Sequence, residues 1–307
     1  MSPIPAREGR LAKKVALITG GTSGIGRATA LAFAGAGASV VIGDVRERPV
    51  GDGRPTGEVI REAGGRALFV EADVAEKAQV EGLVGKTVRE YGRIDILVNN
   101  AGIGHVSSVE HTPERVLKKL VEVNFYGVVY GSQAVLPAMR AQGDGHIINI
   151  SSGAAMMGLA YASIYAATKA AVMRFSEALR YELEGSNIFV SVIYPDFTAT
   201  DLALEVTPGG GMETRTVRSL NPAGLAKYGE PTVRLGSPAK VAESVVECVL
   251  RPRRELYLSP RLRFHGLLRS LFPAGVEREA RRLKISFEQF LAKVSGEGLR
   301  QPDGPVR

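Results

Sequence analysis

One cysteine, no tryptophan and four histidines are what the 307 residues offer of the rarer chemistries. The lone Cys248 excludes a disulfide within the chain and fits a reducing compartment. It lies in the apolar run VAESVVECVL, which makes it a small core residue. His105, His111, His146 and His265 are scattered along the chain, so no metal site is expected. Long apolar runs are missing too: none reaches the roughly 18 residues of a membrane span. The opening stretch MSPIPAREGRLAKK lacks the hydrophobic segment of a signal peptide. Residues 1–13 are therefore expected as a loose tail on a cytoplasmic protein. Most of the chain also lacks a charge imbalance. The net charge is +7, yet residues 251–284 carry ten Arg and Lys against three Glu, which is the whole surplus. Such a local basic segment is not a nucleic-acid-binding domain.

What remains is 45% hydrophobic and 23% charged, enough to bury a sizeable core. Short β-branched runs alternate with longer helical patterns. The runs are VALIT (15–19), SVVIG (39–43), ALFVE (67–71), DILVN (95–99), HIINI (146–150), IFVSVI (188–193) and a weaker ELYLS (255–259). Near-continuous apolar runs suit parallel strands covered on both faces. The segments between them are mostly long enough for crossover helices. The expected fold is α/β, one Rossmann-like domain over residues 14–259 with a doubly wound parallel sheet. Two stretches break the pattern. RERPVGDGRPTG (46–57) is too rich in Gly and Pro for a helix, and residues 201–235 read as a long flexible excursion of the kind that forms lids or binding loops.

After the first run comes TGGTSGIG, with Gly20, Gly24 and Gly26 ahead of a small-residue helix. Glycines there permit a tight turn, close approach to a pyrophosphate and close helix–strand packing, and a helix N-terminus offers free N–H groups to phosphate. A glycine-rich loop with no ligand is the plainer alternative. Asp44 ends the second run. A carboxylate there accepts hydrogen bonds from ribose hydroxyls and repels a 2′-phosphate, which favours NAD over NADP; a turn-forming aspartate is the alternative. Arg46, Arg48 and Arg54 follow and could offset the repulsion. Further on, IYAATKAA places Tyr165 and Lys169 on one face of a helix, one turn apart. Either the tyrosine covers a lysine stem on a surface helix, or an ammonium group keeps the tyrosine acidic.

With TGGTSGIG, NNAG at 99–102, Ser152 and the Tyr165-x-x-x-Lys169 spacing in one order, the chain resembles the short-chain dehydrogenase/reductase family from about Lys14 to Val249. The resemblance implies a seven-stranded parallel sheet and a catalytic tetrad of Asn124, Ser152, Tyr165 and Lys169. Family spacing puts the active serine thirteen before the tyrosine, which selects Ser152 and leaves Ser151 structural. It also implies that the cofactor lies along Gly20, Ser23, Gly24, Ile25 and Gly26, with Asp44 on the adenosine ribose. Asp73 with Val74 would lie at the adenine, and Asn100, Ala101 and Gly102 on the supporting turn. Tyr165, Lys169, Pro195, Thr198 and Thr200 would lie near the nicotinamide. One departure stands out: Asp196 follows Pro195 where the family has glycine. If that position needs a positive φ, an aspartate costs about 1 kcal/mol or more.

By the same resemblance Tyr165 is the general acid/base for a secondary alcohol or ketone. A tyrosine pKa near 10 must fall by about 2–3 units, or ~3–4 kcal/mol. One ammonium about 5 Å away at an effective dielectric of ~20 supplies roughly 3 kcal/mol, and an oxidised nicotinamide adds a second positive charge. Ser152 holds the substrate oxygen, and Asn124 positions a proton-passing water or satisfies backbone groups. Met156, Met157, Leu159, Tyr161, His105 and Phe197 suggest an apolar substrate, though ordinary core positions read the same way. The alternatives are an NADP(H)-dependent carbonyl reductase and a non-catalytic dinucleotide sensor. A homodimer or homotetramer is implied, paired partly through the Tyr165 helix with its small residues Ala166, Ala167, Ala170 and Ala171. The basic helical extension at 260–307 carries Phe264, Leu267, Leu268, Leu271 and Phe272 at helical spacing. It can pack over the active site, meet a partner subunit or lie on an anionic membrane.

Overall fold

The computed structural model describes residues 9–49, 53–196, 198, 203–207, 215–218 and 236–295. All seven expected runs are strands of one parallel sheet: β1 (Val15–Thr19), β2 (Ser39–Asp44), β3 (Ala67–Glu71), β4 (Ile96–Asn99), β6 (Gly145–Ile150), β7 (Ile188–Tyr194) and β10 (Glu255–Tyr257). Their order across the sheet is β10-β7-β6-β4-β1-β2-β3. β1, β2, β4 and β6 are almost entirely buried, as continuous apolar runs require. The helices are α1 (Gly24–Gly35), α2 (Thr56–Glu62), α3 (Lys77–Tyr91), α4 (Glu114–Val121), α5 (Gly127–Gln142), α6 (Ser163–Glu182), α7 (Pro238–Leu250), α8 (Pro260–Leu271) and α9 (Pro273–Ser295).

Two apolar layers sandwich the sheet. On one face Phe33 of α1 and Val241, Val245 and Cys248 of α7 pack on Ile18, Ile42 and Ile148. On the other, Leu83 of α3, Val135 and Met139 of α5 and Leu179 of α6 pack on Leu17, Val41 and Ile147. The chain runs outward from β1 through β2 to β3, then returns to β4 on β1's other side. Strand order therefore reverses between β1 and β4, and a ligand crevice forms at such a switch point.

Three expectations are corrected, and a fourth is made specific. The tail is not loose throughout: Leu11 is buried in the core and its N–H donates to the Ala36 carbonyl. The Gly/Pro-rich stretch ends earlier than expected, because α2 already begins at Thr56. Within 201–235 the described residues form strands, β8 (Ala203–Val206) and β9 (Arg215–Arg218). β8 pairs in parallel with β5 (Gly104–Val106) and antiparallel with β9, so the excursion carries a small second sheet. The extension at 260–295 is helical, but α8 turns Leu262 and His265 inward and leaves Phe264, Leu268, Leu271 and Phe272 exposed.

Candidate active site

The glycine turn follows β1 directly. Gly20 and Gly24 adopt positive φ, +65° and +51°, which L side chains rarely take. At Gly26 the need is contact: a Cβ there would lie 2.1 Å from the Gly20 carbonyl oxygen and 2.5 Å from Asn100 Nδ2. Asn100 holds the turn by donating from Nδ2 to the carbonyls of Thr19 (2.9 Å) and Gly20 (3.1 Å). Thr19 Oγ1 in return accepts the N–H groups of Asn100 and Ala101. Ser23 stands at the N-cap of α1 without capping it, so its side chain leaves the first N–H groups of the helix, around Gly24, Ile25 and Gly26, free for a ligand. No acidic side chain lies in that first turn. A helix N-terminus with no acidic side chain behind a glycine turn fits a pyrophosphate.

Asp44 ends β2 beside this turn. Its Oδ2 accepts the Thr22 N–H (3.1 Å) and hydroxyl (2.6 Å), and its Oδ1 accepts the Val45 N–H (2.8 Å). Three donors fix the carboxylate and leave acceptor lone pairs over. Arg54 is engaged elsewhere, paired with Glu58 and Glu62 on α2. Asp73 accepts the Ala75 N–H in a local turn, and Val74 is buried against Gly127.

The four tetrad candidates come together at the ends of β4 and β6. Lys169, 5% exposed, donates from Nζ to the Ile150 carbonyl at 3.1 Å and lies 5.9 Å from the centroid of the Tyr165 ring. Burial pulls its pKa down to about 8. A Cβ on Gly102 would stand 3.3 Å from Asn124 Oδ1 and 3.4 Å from Lys169 Nζ, so a side chain there would press on Asn124. Asn124 is fully buried in a widened π-type turn, Glu122–Tyr126, between α4 and α5. Such single-turn widenings cluster at functional sites. Its Oδ1 accepts the Ile103 N–H (2.9 Å), and its Nδ2 donates to the Ile103 carbonyl (2.9 Å) and Thr168 Oγ1 (3.2 Å).

The two serines take different partners. Ser151 donates to the Lys169 carbonyl (2.8 Å) and ties α6 to the sheet. Ser152 starts the next turn, where its Oγ accepts the Ala154 N–H (3.2 Å) and hydrogen-bonds the Tyr165 phenol. Burial pushes the Tyr165 pKa up, and the Ser152 bond pulls it back only in part. The energy balance therefore changes. Desolvation opposes acidification of Tyr165, and it weakens the charge on Lys169 as well.

Pro195 accepts the Gly153 N–H (2.8 Å), which locks the segment after β7 to the serine loop. Thr198 donates to the Asp196 carbonyl at 2.7 Å. Asp196 does not take a positive φ: among the described residues only Lys13 and Tyr161 do so without being glycine. The aspartate therefore carries no left-handed strain. Thr200 and Phe197 lie outside the described residues. His105 is a buried residue of β5, with Nε2 3.1 Å from Thr207 Oγ1.

Packing over the site was one of the three roles open to the extension, but the residues of the last two helices that make the wall were not singled out from the sequence. Leu262 of α8 presses on Gly153, where a Cβ would come within 2.8 Å of it, and packs among Ala155, Met156 and Met157. Leu283 of α9 joins Met157, Leu159 and Tyr165. The Tyr161 hydroxyl donates to Glu288 of α9 at 2.7 Å, from a backbone at φ +63°. The signal for this wall was the helical apolar spacing of the extension, whose inward-facing members are Leu262 and Leu283 rather than the phenylalanines.

Comparison with known proteins places this geometry. The model of the family described as short chain dehydrogenase matches residues 14–209. The chain is 35% identical over 240 residues to the 3-oxoacyl-[acyl-carrier-protein] reductase FabG of Thermotoga maritima, covering 77% of this chain and 90% of that one. Among solved structures, a short chain dehydrogenase/reductase of Burkholderia phymatum in complex with NAD is similar at a TM-score of 0.73 and 27% identity, covering 85% of this chain and 94% of that one. A short chain dehydrogenase of Burkholderia cenocepacia in complex with NADP gives 0.67 and 28%, covering 82% and 98%.

Proposed function

The chain belongs to the short-chain dehydrogenase/reductase family, and from that premise we propose that it transfers a hydride between NAD(H) and an apolar secondary alcohol or ketone. The observation that carries the reading is the convergence of Ser152, Tyr165, Lys169 and Asn124 beside a bare glycine turn. The dinucleotide supplies the hydride acceptor or donor and, when oxidised, a positive charge. This chain's residues do the rest. Tyr165 passes the proton to or from the substrate oxygen, and Ser152 holds that oxygen as charge develops on it. Lys169 keeps a cation beside the phenolate, and Asn124 fixes the turn that faces both.

A three-donor carboxylate at Asp44, with Arg54 ion-paired on α2, supports NAD over NADP. Exposed Arg46 and Arg48 next to it support the second reading, an NADP(H)-dependent carbonyl reductase. A non-catalytic sensor has no use for the tetrad. The apolar wall of Met156, Met157, Leu159, Leu262 and Leu283 supports a hydrophobic substrate. We assign catalysis to residues 14–259 and the wall to the helical extension, in a cytoplasmic homodimer or homotetramer that uses the exposed Ala167 and half-buried Ala170 and Ala171 of α6. No helix among the described residues is long and apolar enough to cross a membrane.

The test is reduced-dinucleotide formation from NAD⁺ and NADP⁺ over secondary alcohols from small polyols to bulky apolar compounds. Tyr165→Phe should lose turnover by at least about a hundredfold while NADH affinity stays near wild type. Full activity in that variant removes Tyr165 as the acid/base, and a preference for NADP⁺ establishes the second reading.

A further inference from the structure

α8 faces the wrong way for a helix whose only task is to close a core. Leu262 and His265 point inward, whereas Phe264, Leu268, Leu271 and the following Phe272 are 51%, 39%, 61% and 62% exposed. On a helix, positions 264, 268 and 271 form one stripe roughly opposite Leu262. Of the eleven large apolar side chains exposed among the described residues, five lie between 264 and 285, Ile285 of α9 being the fifth. The same hairpin exposes Arg261 and Arg263 on α8 and Arg278, Arg281, Arg282 and Lys284 on α9. The segment 251–284 holds the entire net charge of the chain.

We propose that the α8–α9 hairpin docks on an anionic lipid bilayer. The stripe of Phe264, Leu268, Leu271 and Phe272 enters the acyl boundary, and the arginines stay at the headgroups. Charge complementarity chooses this occupant. A two-fold contact between copies would place this basic segment on its own image, and like charges oppose it. A purely acidic soluble partner would leave the phenylalanines and leucines in water. A bilayer satisfies both features, because surface potential attracts the basic rim while apolar burial holds the stripe. The proposal stands whether or not the oxidoreductase reading survives.

The experiment is flotation of the full-length chain with vesicles of phosphatidylcholine alone or mixed with phosphatidylglycerol, at low salt and near 1 M salt. Retention on the anionic vesicles should exceed that on neutral ones by at least about tenfold, and salt should release most of it, since the Debye length falls to about 3 Å. Phe264→Ser/Leu271→Ser/Phe272→Ser should float no better than with neutral vesicles, with dinucleotide binding and light-scattering mass unchanged. In case that variant does not fold, Arg278→Gln/Arg281→Gln/Arg282→Gln supplies an independent arm and should lower retention several-fold. No retention at low salt overturns the proposal. Retention that survives loss of the apolar stripe overturns it in favour of plain charge attraction. A fall in mass in the apolar variant overturns it in favour of a second copy on this face.

Discussion

His146 is buried in β6, and the Ser191 hydroxyl next to it donates to the Arg253 carbonyl, so His146 Nε2 donates to Ser191 at 2.8 Å. Burial depresses the ring's pKa from 6.5 to about 4, which keeps it neutral near pH 7. Between those values the unfolded chain takes a proton that the folded chain refuses. The stability is fully present above pH 6.5 and is lost as pH falls toward 4, about 3 kcal/mol in all. Thermal unfolding of wild type should weaken steeply across that window, and His146→Gln should flatten the slope although its starting stability is lower. Equal slopes would show that other groups set the acid limit. At this scale the choice of Ser152 over Ser151 comes from the family's spacing. The energetics were not legible. The sequence shows an ammonium one turn from a phenol, but burial, which raises Tyr165 and lowers Lys169, arises only when β6, α6 and the glycine-bare turn at Gly102 close together.

Gly26 and Gly82 are both helical glycines, yet the structure gives them opposite prospects. A Cβ at Gly26 meets the Gly20 carbonyl at 2.1 Å, and at Gly82 in α3 it meets nothing within 4 Å. Gly26→Ala should weaken NADH binding at least about tenfold and cost roughly 1–3 kcal/mol. Gly82→Ala should leave binding alone and add up to about 1 kcal/mol. Fluorescence titration and denaturant melts of the two variants decide the matter, and equal behaviour would remove the close-approach argument. The sheet strands could be read from the sequence because buried parallel strands are apolar without interruption. β8 and β9 could not, since ALEV and RTVR are short, mixed and set among glycines. Nor could the widened turn at Asn124, where EVNFY continues a helical pattern and nothing local marks the extra residue.

Across the whole molecule, the Tyr161–Glu288 bond joins residues 127 apart and pins α9 beside Tyr165. Glu288 also pairs with Lys284. Hydrogen bonds to charged groups contribute about 1.5–3 kcal/mol when buried, and partial exposure reduces this one to about 1. A double-mutant cycle of Tyr161→Phe and Glu288→Gln in urea should return a coupling near that value, and zero coupling would release α9 from the wall. The extension was legible as a helix, with packing over the site left as one of three roles, because amphipathic spacing shows that a face exists without saying which face meets the core. The strand order has a last consequence, for the chain as it is being made. After β1, every strand of the large sheet joins an edge already standing: β2 and β3 on one side, then β4, β6, β7 and β10 on the other. No strand must wedge between two earlier ones, so the sheet can assemble vectorially as it leaves the ribosome. The helices that roof Ser152 and Tyr165 follow the whole sheet in the chain, so this end of the sheet stays open to solvent until they arrive.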